Sequence, residues 1–183
     1  ILYVANDSLF RSYDFGDTWE FVETHTPSLI TVAISPKGYY YLLTGSNWQI
    51  QRSVDHGLTF HSLHTQAAPG SQITFAPDES SAYAATSYGL LTNASFGDRW
   101  KEVFGGRFMS VTLSREYLYA IDSYSTTWRA RVGDWSCWEA VDRQPYFTWG
   151  RRILWLGNLV AAANGEGLRV SRDQGSNWSW APE

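Results

Sequence analysis

An eight-residue pattern returns about every forty residues along this chain, and that recurrence restricts it to folds assembled from short repeated units. Its fullest form is Ser12-x-Asp14-x-Gly16-x-Thr18-Trp19. It comes back as Ser53-x-Asp55-x-Gly57-x-Thr59-Phe60 and as Ser171-x-Asp173-x-Gly175-x-Asn177-Trp178. Weaker copies run from Asn93 to Trp100, through Gly97, and from Arg131 to Trp138. The closing aromatics stand at 19, 60, 100, 138 and 178, at spacings of 41, 40, 38 and 40.

Between the copies helical periodicity is nearly absent. Short alternating runs of Tyr, Val, Ile, Thr and Ala lie between Gly, Pro, Ser and Asp clusters, as strands do. The second unit is the most complete. Residues 30–35, 39–44, 49–53 and 59–64 read as strands, with turns at Pro36-Lys37-Gly38, at Gly45-Ser46-Asn47 and at the motif itself. Four antiparallel strands per unit describe a propeller blade. The expected fold is therefore all-β, a single β-propeller domain of five blades at about 1–27, 28–70, 71–106, 107–146 and 147–183. Residues 2–5 read as a second strand, so the first blade is expected to lack its inner strand. The chain stops straight after the fourth strand of its fifth copy. A three-stranded blade, a piece of a longer propeller, or self-association that completes the ring would each account for this. A β-sandwich with similar turns is the competing architecture, and five aromatics in register argue against it.

Composition narrows the partners. Ten Trp, eleven Tyr and nine Phe bring the aromatic share to 16%, while charged residues reach only 17%, as in packed sheets with modest solvated faces. A net charge of -4 with 14 scattered basic residues offers a phosphate backbone nothing to follow, so no nucleic acid is expected. No run approaches the roughly 18 apolar residues of a membrane helix, and no signal peptide is read, so no membrane insertion is expected. The opening Ile-Leu-Tyr-Val lacks a Met, as in a processed or trimmed chain. Cys137 is the single cysteine, which excludes an intrachain disulfide and a thiolate cluster. Asn6, Asn93 and Asn177 head Asn-x-Ser sequons, which matter only in a eukaryotic secretory setting.

The motif has a local physical meaning. An Asp two residues before a Gly suits a tight turn, because the carboxylate accepts backbone N–H bonds and the Gly takes positive φ. The Ser adds a second bond, and the aromatic ties the turn to the sheet. Ser-x-Asp-x-Gly-x-Thr-Trp resembles the Asp-box, or BNR, repeat of sialidases, sortilin-type receptors, xyloglucanases and photosystem assembly propellers. Copy three departs by carrying Ser95 for the Asp, and copy four keeps little beyond Trp138, with Gly133-Asp134 near its turn. Weaker turn bonding is expected in both. The resemblance implies that the motif joins third to fourth strands at the blade periphery, away from any active face. On that reading Ser12, Asp14, Gly16, Trp19, Ser53, Asp55, Gly57, Phe60, Gly97, Trp100, Trp138, Ser171, Asp173, Gly175 and Trp178 are structural.

A site is then expected on the opposite rim, formed by second-to-third turns and inter-blade links. Its turns are Asn6-Asp7-Ser8, Gly45 to Trp48, Ser87-Tyr88-Gly89, Ser123 to Trp128 and Asn164 to Gly167. Flat rings among small polar residues suit sugars and protein interfaces alike. The candidate contacts are Trp48, Tyr88, Tyr124, Trp128, Arg143 and Tyr146. The leading function is a non-catalytic binding or scaffold propeller, extracellular or at the cell surface, that contacts a glycan or a protein and needs no cofactor. The alternative is a glycoside hydrolase of sialidase-like or xyloglucanase-like type. The resemblance implies that a sialidase brings three arginines onto a carboxylate, yet the nearest string to its Arg-Ile-Pro strand is Arg151-Arg152-Ile153-Leu154. Arg107, Arg143 and Glu166 could approach the rim. A carboxylate pair would come from Asp7, Glu23, Asp122, Asp142 and Glu166. His25, His56, His61 and His64 form no metal motif, since residues three apart in a strand point to opposite faces.

Overall fold

A computed structural model describes residues 2–5, 9–22, 29–44, 49–64, 72–78, 80–94, 99–143 and 152–181. Every regular element among them is a strand. Sheet one holds β1 (Leu2–Ala5), β2 (Leu9–Ser12) and β3 (Glu20–Val22). Sheet two holds β4 (Leu29–Ile34), β5 (Tyr40–Thr44), β6 (Gln49–Ser53) and β7 (His61–His64). Sheet three follows with β8 (Gln72–Phe75), β9 (Ser81–Ala85), β10 (Gly89–Ala94) and β11 (Lys101–Gly105). Sheet four is β12 (Phe108–Leu113), β13 (Tyr117–Asp122), β14 (Thr126–Arg131) and β15 (Glu139–Arg143). Sheet five is β16 (Arg152–Trp155), β17 (Val160–Asn164), β18 (Gly167–Ser171) and β19 (Ser179–Trp180). Each is an antiparallel meander, three-stranded in sheet one and four-stranded in the others. This is the five-bladed β-propeller architecture read from the repeat, with the first blade one strand short.

The innermost strands succeed one another in chain order: β1 meets β4, β4 meets β8, β8 meets β12, and β12 meets β16. Among the described residues, sheets one and five share no comparable packing. Side chains stitch neighbouring inner strands together. Ser110 Oγ donates to Gln72 Oε1 and accepts the amide of Ile153 at 3.0 Å, while Thr112 Oγ1 accepts the amide of Trp155 at 3.1 Å.

Strand alternation gives each sheet a forward face toward the next sheet and a rear face toward the preceding one. Apolar clusters fill all four junctions. Leu9 and Val22 meet Leu42; Tyr41, Leu43 and Ile50 meet Ile73, Ala84 and Leu91; Tyr83 and Leu90 meet Val111 and Leu118; Tyr119 and Ile121 meet Ile153 and Ala162. The closing aromatic of copies two to five joins the cluster with the preceding sheet, as Phe60, Trp100, Trp138 and Trp178 show. Trp19, in sheet one, remains 40% exposed, against 8% for Trp100.

Candidate functional site

In copies one, two and five the serine hydroxyl sits at the heart of the turn. Ser12 Oγ donates to Asp14 Oδ1 at 2.8 Å and accepts the amide of Gly16 at 2.7 Å. Asp14 then accepts the Thr18 amide at 2.9 Å and the Thr18 hydroxyl at 2.5 Å. Ser53, Asp55 and Thr59 repeat the set, as do Ser171, Asp173 and Asn177. Trp19 and Trp178 complete it by donating Nε1 to the Gly16 and Gly175 carbonyls, each at 3.0 Å. Bonds of this kind favour the ionised carboxylate. Those from Thr18 and Ser12 hold Asp14 at about 2 against an ordinary 3.8, and those from Asn177 and Ser171 hold Asp173 at about 2. Ser53 and Thr59 drive Asp55 well below the carboxylate range. Such acids stay charged and occupied, which suits a fastener and not a proton carrier.

The two weaker copies bond differently. Asn93 is buried and donates its amide to the Arg99 carbonyl at 3.0 Å, which engages the nitrogen of one sequon. In copy four Asp134 Oδ1 accepts only the amide and hydroxyl of Ser136, at 3.1 and 2.6 Å.

The residue before the glycine adopts left-handed geometry in each full copy, with φ of 62° at Phe15, 61° at His56 and 60° at Gln174. Where a sheet precedes, the carbonyl of this residue receives that sheet's polar side chains. Arg11 Nη1 donates to His56 O at 3.2 Å, and Tyr119 Oη donates to Gln174 O at 2.9 Å, beside Arg129 Nη1. Both arginines are clasped further: Arg11 pairs with Glu20 at 3.0 Å over the Tyr13 ring, and Arg129 with Glu139 at 2.9 Å over the Tyr117 ring. The following glycine must be bare. A Cβ on Gly175, at φ 88°, would lie 3.2 Å from Tyr119.

Sheet three breaks this pattern. Thr92 stands opposite Tyr83, where Arg52 and Arg129 stand opposite Tyr41 and Tyr119. Facing it, Trp135 takes the glycine position of copy four and packs edge-on against Tyr83 at 5.6 Å. An aromatic joint results. Trp138 stacks on Phe104 at 4.6 Å and 9°, Trp135 lies 6.1 Å from Trp138 at 23°, and Trp128 meets Phe104 at 5.2 Å and 74°. These four rings line a cleft of about 520 Å³. Trp138 Nε1 has no acceptor among the described residues, unlike Nε1 of Trp19 and Trp178.

On the opposite rim, Tyr88 and Tyr124 are 64% and 72% exposed at corresponding hairpin tips of sheets three and four. Thr86 Oγ1 accepts the amides of Tyr88 and Gly89 at 3.2 and 3.1 Å. Asp122 Oδ1 accepts those of Tyr124 and Thr126 at 2.7 and 2.9 Å, and its Oδ2 accepts Trp128 Nε1 at 2.9 Å. One carboxylate thus fixes a rim tip and orients a ring of the cleft. Arg143 ends β15 opposite Thr126 and is exposed. Trp128 itself needs correction. Residues 126–128 were expected in the turn, yet Ser125, at φ 65°, closes it early and all three lie in β14. Trp128 therefore faces sheet three. Trp48, Tyr146 and Gly97 lie outside the described residues.

Phe104 and Trp135 were missed in the sequence, since only sheet-to-sheet packing brings them together. A second cavity, of about 270 Å³ on the motif rim between sheets four and five, was missed as well. Arg115, Arg172, Asn158 and Gln174 line it above Tyr119 and Trp155. Asp142, weighed as a carboxylate of a catalytic pair, pairs with Arg169 at 2.6 Å. Among the described residues no three His, Cys, Asp or Glu gather where they could hold a metal ion.

No family model and no curated protein matches the chain. Solved structures do. A chain in the crystal structure of a nidogen/laminin complex superposes with a TM-score of 0.78 at 11% identity, over 93% of this chain and 70% of that one. A structural genomics protein of unknown function from Bacteroides thetaiotaomicron VPI-5482 superposes with a TM-score of 0.66 at 14% identity, over 84% of this chain and 43% of that one. At such identities the likeness is one of fold.

Proposed function

We propose that this chain is a non-catalytic binding propeller of the Asp-box type whose rim opposite the motif turns engages a protein partner, outside the cell or at its surface. The observation that carries this reading is the pair Tyr88 and Tyr124. Their rings stand in solvent on neighbouring hairpin tips whose backbones are already fixed by Thr86 and Asp122, so docking orders little. Arg143, on the same rim, adds a charged contact. The fold shared with a chain found in a nidogen/laminin complex supports a protein as partner.

A glycan is the second reading, favoured by the ring-lined cleft at Phe104, Trp128, Trp135 and Trp138. The hydrolase reading draws no support from Asp122 or Asp142, whose carboxylates hold the turn and Arg169. Affinity capture with the wild-type chain and a Tyr88→Ser/Tyr124→Ser double variant, run beside a glycan array, separates these cases. The protein reading expects a partner that the double variant loses without a change in melting temperature. A partner retained equally by both would overturn the rim assignment, and array hits abolished by Trp135→Ala would move the site to the cleft.

A further inference from the structure

The cavity of about 270 Å³ between sheets four and five lies on the motif rim and shares no lining residue with the cleft at Trp135. Three tight turns form its walls, and each is fixed by its own hydrogen bonds. Ser114 closes the β12–β13 turn that carries Arg115. Its amide and hydroxyl donate to the Tyr117 carbonyl at 2.8 and 3.1 Å, and its Oγ accepts the Tyr117 amide at 2.9 Å. In the β16–β17 turn, which carries Asn158, the Leu156 amide donates to the Leu159 carbonyl at 2.8 Å. Arg172 and Gln174 stand in the motif turn of sheet five, held by Ser171 Oγ on Asp173 and Gly175 and by Tyr119 on the Gln174 carbonyl. The side chains of Arg115, Asn158, Arg172 and Gln174 bond to nothing among the described residues, and all four line the cavity. Two guanidiniums and two amides thus bring donors from both sheets, with Glu116 the one acid in the lining. Trp155, half-buried, adds an apolar ring surface.

Two uncommitted arginines on one cavity repel each other until an anion stands between them. The planar fork of each matches a carboxylate with parallel bonds. The volume lies at the small end of the roughly 300–1,000 Å³ of drug-sized sites, so the occupant is small. We propose that this cavity binds a small aromatic carboxylate, the carboxylate held by Arg115 and Arg172 across the joint between sheets four and five and the ring lying against Trp155. A carboxylate is favoured over inorganic phosphate on two grounds. Phosphate has no apolar face to set on Trp155, and Glu116 repels its second negative charge. The site is separate from the rim tyrosines and does not depend on them.

Titration of the chain with benzoate, benzamide and inorganic phosphate, read by NMR at the Trp155 indole and by calorimetry, tests it. Benzoate is expected to bind with a Kd of about 1 mM or tighter. Benzamide, which keeps the ring and loses the charge, and phosphate, which keeps the charge and loses the ring, are each expected to bind about tenfold more weakly. Arg115→Gln and Arg172→Gln should each weaken benzoate about tenfold, and Glu116→Gln should strengthen it. All three side chains are exposed, so an unchanged melting temperature verifies the fold of each variant. The Tyr88→Ser/Tyr124→Ser variant is expected to keep full benzoate binding, which separates this site from the rim. No saturable benzoate binding, benzamide binding as tight as benzoate, phosphate binding tighter than benzoate, or benzoate binding that survives Arg115→Gln/Arg172→Gln would overturn the proposal.

Discussion

Arg11 reaches across the junction between sheets one and two and donates from Nη1 to the carbonyl oxygen of His56, 3.2 Å away. Arg129 does the same to Gln174 between sheets four and five. In both cases the acceptor is a backbone atom, so the motif turn acts as a catch for the preceding sheet whatever side chain it carries there.

Removing the catch should be measurable. Arg11→Ala is expected to lower stability by about 1–2 kcal/mol in urea unfolding, from the lost bond and the guanidinium lost from over the Tyr13 ring. Arg11→Lys is expected to lie between, because it keeps a charge and lacks the planar fork. Equal midpoints for all three chains would show the bond to be idle.

Two glycines with nearly the same φ separate backbone strain from close approach. Gly133, at φ 87°, faces open space, whereas a Cβ on Gly175, at φ 88°, meets Tyr119 at 3.2 Å. Gly133→Ala should therefore cost about 1 kcal/mol, and Gly175→Ala about 1–2 kcal/mol more. Indistinguishable losses in thermal unfolding would contradict the packing described.

The motif aspartates predict how the protein meets acid. Asp14 and Asp173 ionise at about 2 when folded against 3.8 as an ordinary value, with Asp55 lower. A depressed carboxylate contributes stability that is fully present above the unfolded value and is lost as pH falls toward the folded one. Stability is thus expected to decline between about pH 4 and pH 2, and the Asp14→Asn/Asp55→Asn/Asp173→Asn variant to start lower and flatten across that window. Parallel acid profiles for the two proteins would refute this.

Tyr119 predicts the alkaline limb. Burial lifts its phenol to about 12 from 10.0, so the stability that it gives is whole below pH 10.0 and disappears as pH rises through about 12. Burial also raises Tyr83, so absorbance titration is expected to show Tyr119 among the phenols that ionise late, and Tyr119→Phe to remove one late equivalent. An unchanged number of late equivalents in Tyr119→Phe would refute this.

The repeat made the sheet count, the strand order and the missing strand of sheet one legible, because each is written locally in alternation and turn residues. The edge of the 123–128 turn was misread because Ser-Tyr-Ser-Thr-Thr looks like loop composition. Two β-branched threonines instead begin a strand once Ser125 turns the backbone. The joint between sheets three and four was illegible for a different reason. Trp135 carries no motif signal, and only the approach of Tyr83, 52 residues earlier, shows that stacked rings serve this joint where Thr92 stands in place of an arginine.

That replacement gives the joints of the array unlike temperaments. Salt weakens exposed ion pairs, so high ionic strength should loosen the Arg11–Glu20 and Arg129–Glu139 pairs that hold the two arginines in place, and spare the rings of Trp135 and Trp138. Cooling weakens apolar contacts, which every junction shares, but the one at Trp135 has stacked rings where its neighbours add an arginine. One tryptophan in a glycine's position thus gives a single joint of the array its own response to salt.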